Sequence, residues 1–263
     1  MNPRLKRWTL GVVGALGAVA RWIPFPLRRG VIYGLMMVES RAGDPAETLR
    51  RLFRLQDDLE LVINERSTAL GGGEHPKHRL MDYHGFFVER IPPGSRVLDV
   101  GCGYGAVART IARSLPDCQV LGVELDEGRY QQALAAENPP NLAFFHGDAL
   151  RQTPPGPWNV VVLSNVLEHI DERVAFLQAL LRLGPERILI RVPLFERHWQ
   201  MPLRRELGVS FLSDPTHFIE HTWEEFHQEM TAAGLDVAEI LLRWGEIWAD
   251  CRPASSAKYS HSI

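Results

Sequence analysis

The sequence predicts an α/β fold: a mostly parallel sheet with helices on both faces, preceded by a helical extension. Three observations carry this. Short β-branched runs alternate with helical patterns from Arg96 to Val192. One of those units, Arg96-Val-Leu-Asp-Val-Gly-Cys-Gly-Tyr-Gly105, reads as strand and glycine turn, opening directly into a helix. Acids also stand at the ends of successive strands, where open α/β sheets bind ligands. At 263 residues, with 45% apolar and 23% charged residues, the chain suits one such domain with appendages. Its three cysteines, Cys102, Cys118 and Cys251, form no CxxC pair, which suits a reducing, cytoplasmic compartment.

Residues 1–40 form a basic, apolar extension. Arg4, Lys6, Arg7, Arg21, Arg28 and Arg29 stand there, and no acid precedes Glu39; against a net charge of −3, residues 39–263 therefore carry −9. Trp8–Ala20 and Gly30–Val38 are uncharged runs of 13 and nine residues, short of the ~20 that span a bilayer. Three readings compete: a signal peptide ending at Ala18-Val-Ala20, an anchor lying on an anionic membrane surface at its inner face, and a helix docked on the domain. The anchor is favoured, because Trp8, Trp22, Phe25, Leu27 and Tyr33 are interleaved with cations, and export conflicts with the nucleotide site argued below.

Residues 41–90 read as a helical cap. Asp44 is the expected N-cap, with Pro45 in the first turn and Glu47 three residues on; Leu49, Leu52, Phe53, Leu59 and Val62 recur near helical spacing. Gly71-Gly-Gly73 is a hinge. Lys77 to Phe87 then mixes cations, imidazoles and aromatics, either a charged helix surface or a lid over a ligand.

Residues 91–251 form the main domain. Strands are expected at 97–100, 119–124, 141–146, 158–164 and 187–192, with helices from Ala106, after the cap Asp126 and after the cap Asp171. Residues 194–221 make a loop-rich insertion facing the substrate. Thr222-Trp-Glu-Glu225 is a capping box for a helix ending at Gly234. Val237–Leu242 and Glu246–Asp250 read as an antiparallel pair at the sheet edge, and 252–263 as a flexible tail.

Glycine spacing narrows the ligand. Gly101, Gly103 and Gly105 stand at i, i+2 and i+4, unlike the G-x-G-x-x-G that seats a pyrophosphate on a helix N-terminus. Asp99, two residues before the turn, would repel a pyrophosphate but suits a ligand with an ammonium group and a cationic sulfur. Glu124 can bind both ribose hydroxyls, and Asp148 can accept from an adenine amino group.

Val97–Gly105, Glu124, Gly147-Asp148 and Asn165-Val-Leu-Glu-His169 together resemble the successive motifs of class I S-adenosylmethionine-dependent methyltransferases, over roughly residues 78 to 250. The resemblance implies a Rossmann-like seven-stranded sheet with an antiparallel last strand. It implies that Asp99, Gly101, Cys102, Gly103 and Gly105 hold the methionine part of S-adenosylmethionine, Glu124 and Leu125 the ribose, and Asp148 with Ala149 the adenine, with Asn165 nearby.

Methyl transfer is an in-line displacement, in which an oxygen acceptor also needs a base. Candidates are His169 after the fourth strand, with Glu168, and His217 and His221 in the segment 214–222. Some family members carry Glu-x-x-Glu-His and a distant histidine around a divalent ion; Glu168, His169 and His217 match, but Asn165 replaces the first glutamate, and a metal is not expected. Val192-Pro-Leu-Phe-Glu-Arg-His198 and Asp214-Pro-Thr-His217 also resemble bacterial methyltransferases of surface-glycan assembly, which implies a small-molecule or lipid-linked acceptor. Trp199, Phe211 and Trp223 are candidates to stack on sugars. A metal-assisted RNA 2′-O-methyltransferase is the rival enzyme, disfavoured by the acidic body, which argues against nucleic acid. A cofactor-binding membrane adaptor is the non-enzymatic rival.

Overall fold

The computed structural model describes residues 14, 16–72, 75–152 and 156–254. Thus Trp8 and the cations Arg4, Lys6 and Arg7, together with Gly73 and residues 255–263, lie outside the described residues. The chain divides into two compact units, Met1–Arg66 with Glu206–Val209, and Ser67–Arg205 with Ser210–Ile263.

In the first unit, helix α1 (Phe25–Glu39) buries none of its residues. Phe25, Leu27, Val31, Ile32, Tyr33, Leu35 and Val38 are all exposed. Among the described residues, no helix is long and apolar enough to cross a membrane. Helix α2 (Pro45–Leu70) starts as expected, because Asp44 Oδ1 accepts the N–H groups of Ala46 and Glu47 at 3.0 and 3.1 Å. Arg51 ties this first turn back to the end of α1, through Glu47, Glu39 and the carbonyl of Ala42.

The second unit holds a seven-stranded sheet in the order β3-β2-β1-β4-β5-β7-β6. β1 (Arg96–Val100), β2 (Gln119–Glu124), β3 (Leu142–His146), β4 (Val160–Ser164) and β5 (Arg187–Pro193) pair in parallel. β7 (Glu246–Pro253) runs antiparallel between β5 and β6 (Leu235–Arg243), so the last strand alone reverses. The expected sheet is therefore present, with strand ends within three residues of those read from the sequence.

Alternation along β1 separates the two cores. Leu98 and Val100 face Leu177 and Leu180 of α7 (Arg173–Leu181) and Phe226 and Met230 of α9 (Trp223–Ala233). Val97 joins the opposite core, with Val107 and Ile111 of α5 (Ala106–Ser114), Phe87 and Trp248. Asp99 shares that parity, which aims a carboxylate at the start of α5. Both faces being covered, β1 and β4 read as unbroken apolar runs apart from Asp99.

Caps mostly follow the sequence. Asp126 accepts the Arg129 N–H at 2.8 Å ahead of α6 (Glu127–Ala135). The box on Thr222 and Glu225 is complete, and Gly234 closes α9 in the left-handed region. Three expectations need correction. Asp171 does not cap α7, which begins at Arg173 with no side-chain cap; the Arg173 guanidinium instead folds back onto the carbonyls of Ile170 and Asp171. Residues 194–213 are not only loop: they hold a 3₁₀ turn (Phe195–Arg197) and α8 (Gln200–Glu206). The period there is unreadable because the buried side chain of α8 is an arginine, Arg204, bonded to the Ser210 carbonyl. The segment 77–87 is two helices, α3 (Lys77–Met81) and α4 (Tyr83–Val88), broken where Asp82 takes φ 50°.

Candidate active site

The glycine turn lies at the carboxyl end of β1 and is glycine for steric reasons. Gly101 has φ +66°, and a Cβ there would stand 2.8 Å from Val166 Cγ2; Gly105 has φ +76°, and its Cβ would stand 2.5 Å from Phe144 Cζ. A Cβ on Gly103 would meet nothing within 4 Å, so this side of the turn is open. The Cys102 N–H donates to the Val123 carbonyl at 3.0 Å, fastening the turn to β2.

Glu124 completes that fastening. Its Oε2 accepts the Gly103 N–H at 2.7 Å and its Oε1 the Asp126 N–H at 2.8 Å. Each carboxylate oxygen keeps a further lone pair for a ligand hydroxyl. Asp99 is 1% exposed, and its Oδ2 has no hydrogen-bond partner. Burial pushes its carboxyl up to about 7; a backbone N–H at Ala108 opposes this, and the neighbouring Glu124 adds to it. Burial, then Asp99 and Glu124, push the Cys102 thiol up, so it is neutral and no nucleophile. Asp148 Oδ1 accepts the Leu150 N–H at 2.8 Å; Ala149 is buried beside it, and Leu125 is exposed. Since β3, β2 and β1 are neighbours, the three acids step diagonally across them: Asp99 is level with Gly122, two residues before Glu124, and Asp148 follows His146, the partner of Glu124, by two.

One strand further, a second group assembles after β4. Asn165 takes φ 56°, and its amide donates to Glu168 Oε1 at 2.7 Å. Glu168 is fully buried, with Oε2 unpartnered. Burial raises its carboxyl to about 7, against the opposing backbone N–H, Asn165, His217 and Arg191. The rings of His169 and His217 meet edge to face, with centroids 4.6 Å apart. Burial and the neighbouring His217 hold His169 below its usual range. One ligand atom from each of Glu168, His169 and His217 lies within 4.8 Å of the others. The insertion is pinned here by the Phe218 N–H, which donates to the Glu168 carbonyl at 2.8 Å.

His221 is not brought to this cluster. It is fully buried, bonded to Glu229 at 3.0 Å with its ring against Phe226, and Glu229 is paired with Arg173 at 2.7 Å. Among the candidate stacking residues, Trp199 is exposed, Phe211 packs on Phe195, and Trp223 packs on His227. In the segment 77–87, Tyr83, Phe86 and Phe87 enter the core, while Lys77 and Arg79 are exposed, as a charged helix surface has it. Sequence reasoning missed Asp214, Thr216 and Glu220, which hold the two histidines. Thr216 Oγ1 lies 3.0 Å from His169 Nδ1, and Glu220 Oε1 lies 3.2 Å from His217 Nδ1. Spacing gave a signal for Glu220, three residues after His217; Thr216 bonds to a residue 47 positions away and left none.

Comparison with known proteins places the chain in a family. Residues 73–240 match the family model for a methyltransferase domain. The 2-methyl-6-phytyl-1,4-hydroquinone methyltransferase of Synechocystis sp. is 29% identical over 166 residues, 58% of this chain and 50% of that protein. The ubiquinone biosynthesis O-methyltransferase of Albidiferax ferrireducens is 30% identical over 151 residues, 54% and 55%. The chain thus spans about half the length of these curated relatives. Among solved structures, the calicheamicin-biosynthesis methyltransferase CalO1, in its SAH-bound form, superposes with a TM-score of 0.53 at 21% identity, covering 75% of this chain and 60% of that one. At that identity the likeness concerns the fold.

Proposed function

Because the chain belongs to the methyltransferase domain family, we propose that it is an S-adenosylmethionine-dependent methyltransferase acting on an oxygen. The observation that carries this is the pairing of His169 and His217 beside buried Glu168, one strand from the row of acids. The site fits the donor. Asp99 offers a buried carboxylate oxygen without a partner, suited to an ammonium; Glu124 offers free lone pairs to ribose hydroxyls, and Asp148 and Ala149 an edge for adenine. The open side of Gly103 leaves room for the methionine chain. When bound, the donor supplies an electrophilic methyl group on a sulfonium sulfur.

The chain's own work is positioning and proton removal. An imidazole held neutral at physiological pH can take the proton of an acceptor hydroxyl, and burial keeps His169 on that side. Glu168, Asn165, His169 and His217 line the acceptor end in this reading.

The proposed acceptor is a hydroxyl or carboxyl of a small or lipid-linked molecule in the cytoplasm, with a lipid-linked glycan favoured. Two features support it: the resemblance of 192–198 and 214–217 to glycan-assembly methyltransferases, and the acid-free N-terminal segment. Helix α1 exposes its apolar side chains and carries Arg28 and Arg29, which fits the interface of an anionic membrane. The relatives named for hydroquinone and ubiquinone make a prenylated phenol the other lipid-borne candidate. Transfer of labelled methyl from S-adenosylmethionine into extracted lipid fractions tests this reading. Label in the glycolipid fraction supports it; label in quinols would replace the glycan, and a protein that binds donor without any transfer would be an adaptor.

A second reading, in which a divalent ion assists, is favoured by one observation, the unpartnered Glu168 Oε2 beside two imidazoles. Two nitrogens and one carboxylate oxygen suit a borderline ion such as zinc better than magnesium. Glu168, His169 and His217 would hold it, and it would acidify a bound hydroxyl. Metal content of the purified protein and turnover in a chelator decide between the readings.

A further inference from the structure

Resting on the reading of His169 and His217 as acceptor-end groups, we propose that Glu220, and Asp214 acting through Thr216, lock both imidazoles in the tautomer protonated on Nδ1. Both Nε2 atoms then present lone pairs, and with Glu168 they make a pocket that accepts hydrogen bonds or a cation.

The argument is a count of protons. Thr216 has one hydroxyl hydrogen. Asp214 Oδ1 lies 2.6 Å from Thr216 Oγ1 and also takes the Thr216 N–H at 2.8 Å. That short contact to a carboxylate uses the hydroxyl hydrogen. Thr216 can then only accept at its 3.0 Å contact with His169, so His169 Nδ1 carries the proton.

Glu220 gives the same answer for His217 independently. It is buried and receives donors only: the Ser213 N–H at 2.5 Å, the Ser213 hydroxyl at 2.6 Å, and the Arg197 guanidinium. A carboxyl surrounded by donors is ionised and has no proton to give. His217 Nδ1, 3.2 Å away, is therefore the donor. Burial would raise Glu220, but His217, Ser213 and Arg197 together hold it below the usual carboxylate range.

Each imidazole thus has a fixed ring and a fixed proton, set by acids on its Nδ1 side. Asp214, Thr216 and Glu220 are positioning residues. The ligand class follows: a group that donates a hydrogen bond, such as a sugar or phenol hydroxyl, or a divalent cation. Of the two acceptors proposed above, this arrangement favours the hydroxyl over the carboxylate.

Long-range ¹H–¹⁵N spectra of the uniformly ¹⁵N-labelled chain, assigned with His169→Gln and His217→Gln, test the lock without turnover. At a pH where each ring is neutral, Nδ1 is expected to be protonated and Nε2 bare. Thr216→Val removes one hydroxyl at nearly constant volume and should release His169 toward the Nε2-protonated form, with Thr216→Ser restoring it. Glu220→Gln can turn an N–H₂ toward His217 and should invert that ring. In steady state each variant should lower kcat on the order of 10²-fold or more, with the donor KM unchanged. Nε2–H signals from either ring in the wild type, or unaltered tautomers in both variants, overturn the proposal. A chain that transfers no methyl group yet shows the expected tautomers would instead overturn the catalytic reading and leave the lock standing.

Discussion

Asp99→Asn separates the cost of the donor site from its use. Asp99 is buried, with its carboxyl raised to about 7, whereas an unfolded chain has it near ~3.9. Between those values the folded state binds the proton and the unfolded state does not, so stability falls as pH rises and the loss is complete above 7. At ~1.4 kcal/mol per pH unit, ionised Asp99 costs the empty protein about 4 kcal/mol at pH 8 relative to acid. Between pH 5.5 and 8 the part attributable to this residue is about 2 kcal/mol. The carboxamide of the variant does not titrate, so urea denaturation of both proteins at the two pH values isolates this residue from other groups, among them Glu168, whose carboxyl burial also raises to about 7. The variant is expected to gain about 2 kcal/mol on the wild type between pH 5.5 and 8, and to bind S-adenosylmethionine at least ~10-fold more weakly, having lost the partner of an ammonium. A wild-type-minus-variant difference that is the same at both pH values would refute the burial argument. Unchanged donor affinity would refute the assignment of Asp99 to the methionine end.

Further outcomes follow from the same geometry. Gly105→Ala puts a Cβ 2.5 Å from Phe144 Cζ at φ +76° and should destabilise by about 2–4 kcal/mol, seen as a lowered Tm. Glu124→Ala removes two charged acceptors of the ribose and two clamps on the turn, so the Kd for S-adenosylhomocysteine should rise about 100-fold by calorimetry, near 3 kcal/mol. His221→Ala leaves Glu229 Oε1 short of its buried partner and should cost about 2–4 kcal/mol in urea with kcat unchanged; a kcat loss in folded protein would return His221 to the site.

Much of the fold was legible because the central parallel strands are buried on both faces, which writes Val97-Leu98 and Val160-Val-Val-Leu163 as apolar blocks. The positions of Asp99, Glu124 and Asp148 were legible too, as acids at or just after the ends of apolar strands. The proposed acceptor end was only half legible. His169 follows its strand and stands out, but Asp214, Thr216 and Glu220 are ordinary loop residues whose meaning arises from folding the 194–221 insertion back onto the turn 167–169. His221 misled because a histidine before a helix cap looks accessible, and the Glu229–Arg173 pair that draws it inward is visible only in three dimensions. In α8 the rule of apolar burial failed at Arg204.

The most direct test of the account is a calorimetric titration of the full chain with S-adenosylhomocysteine, which has the donor's ammonium, ribose and adenine and cannot react. One site per chain is expected, with a Kd of roughly 1–100 μM, within the range usual for enzyme substrates. Absence of binding at ~1 mM by folded wild-type protein would contradict the assignment of Asp99, Glu124 and Asp148 to a methyl donor.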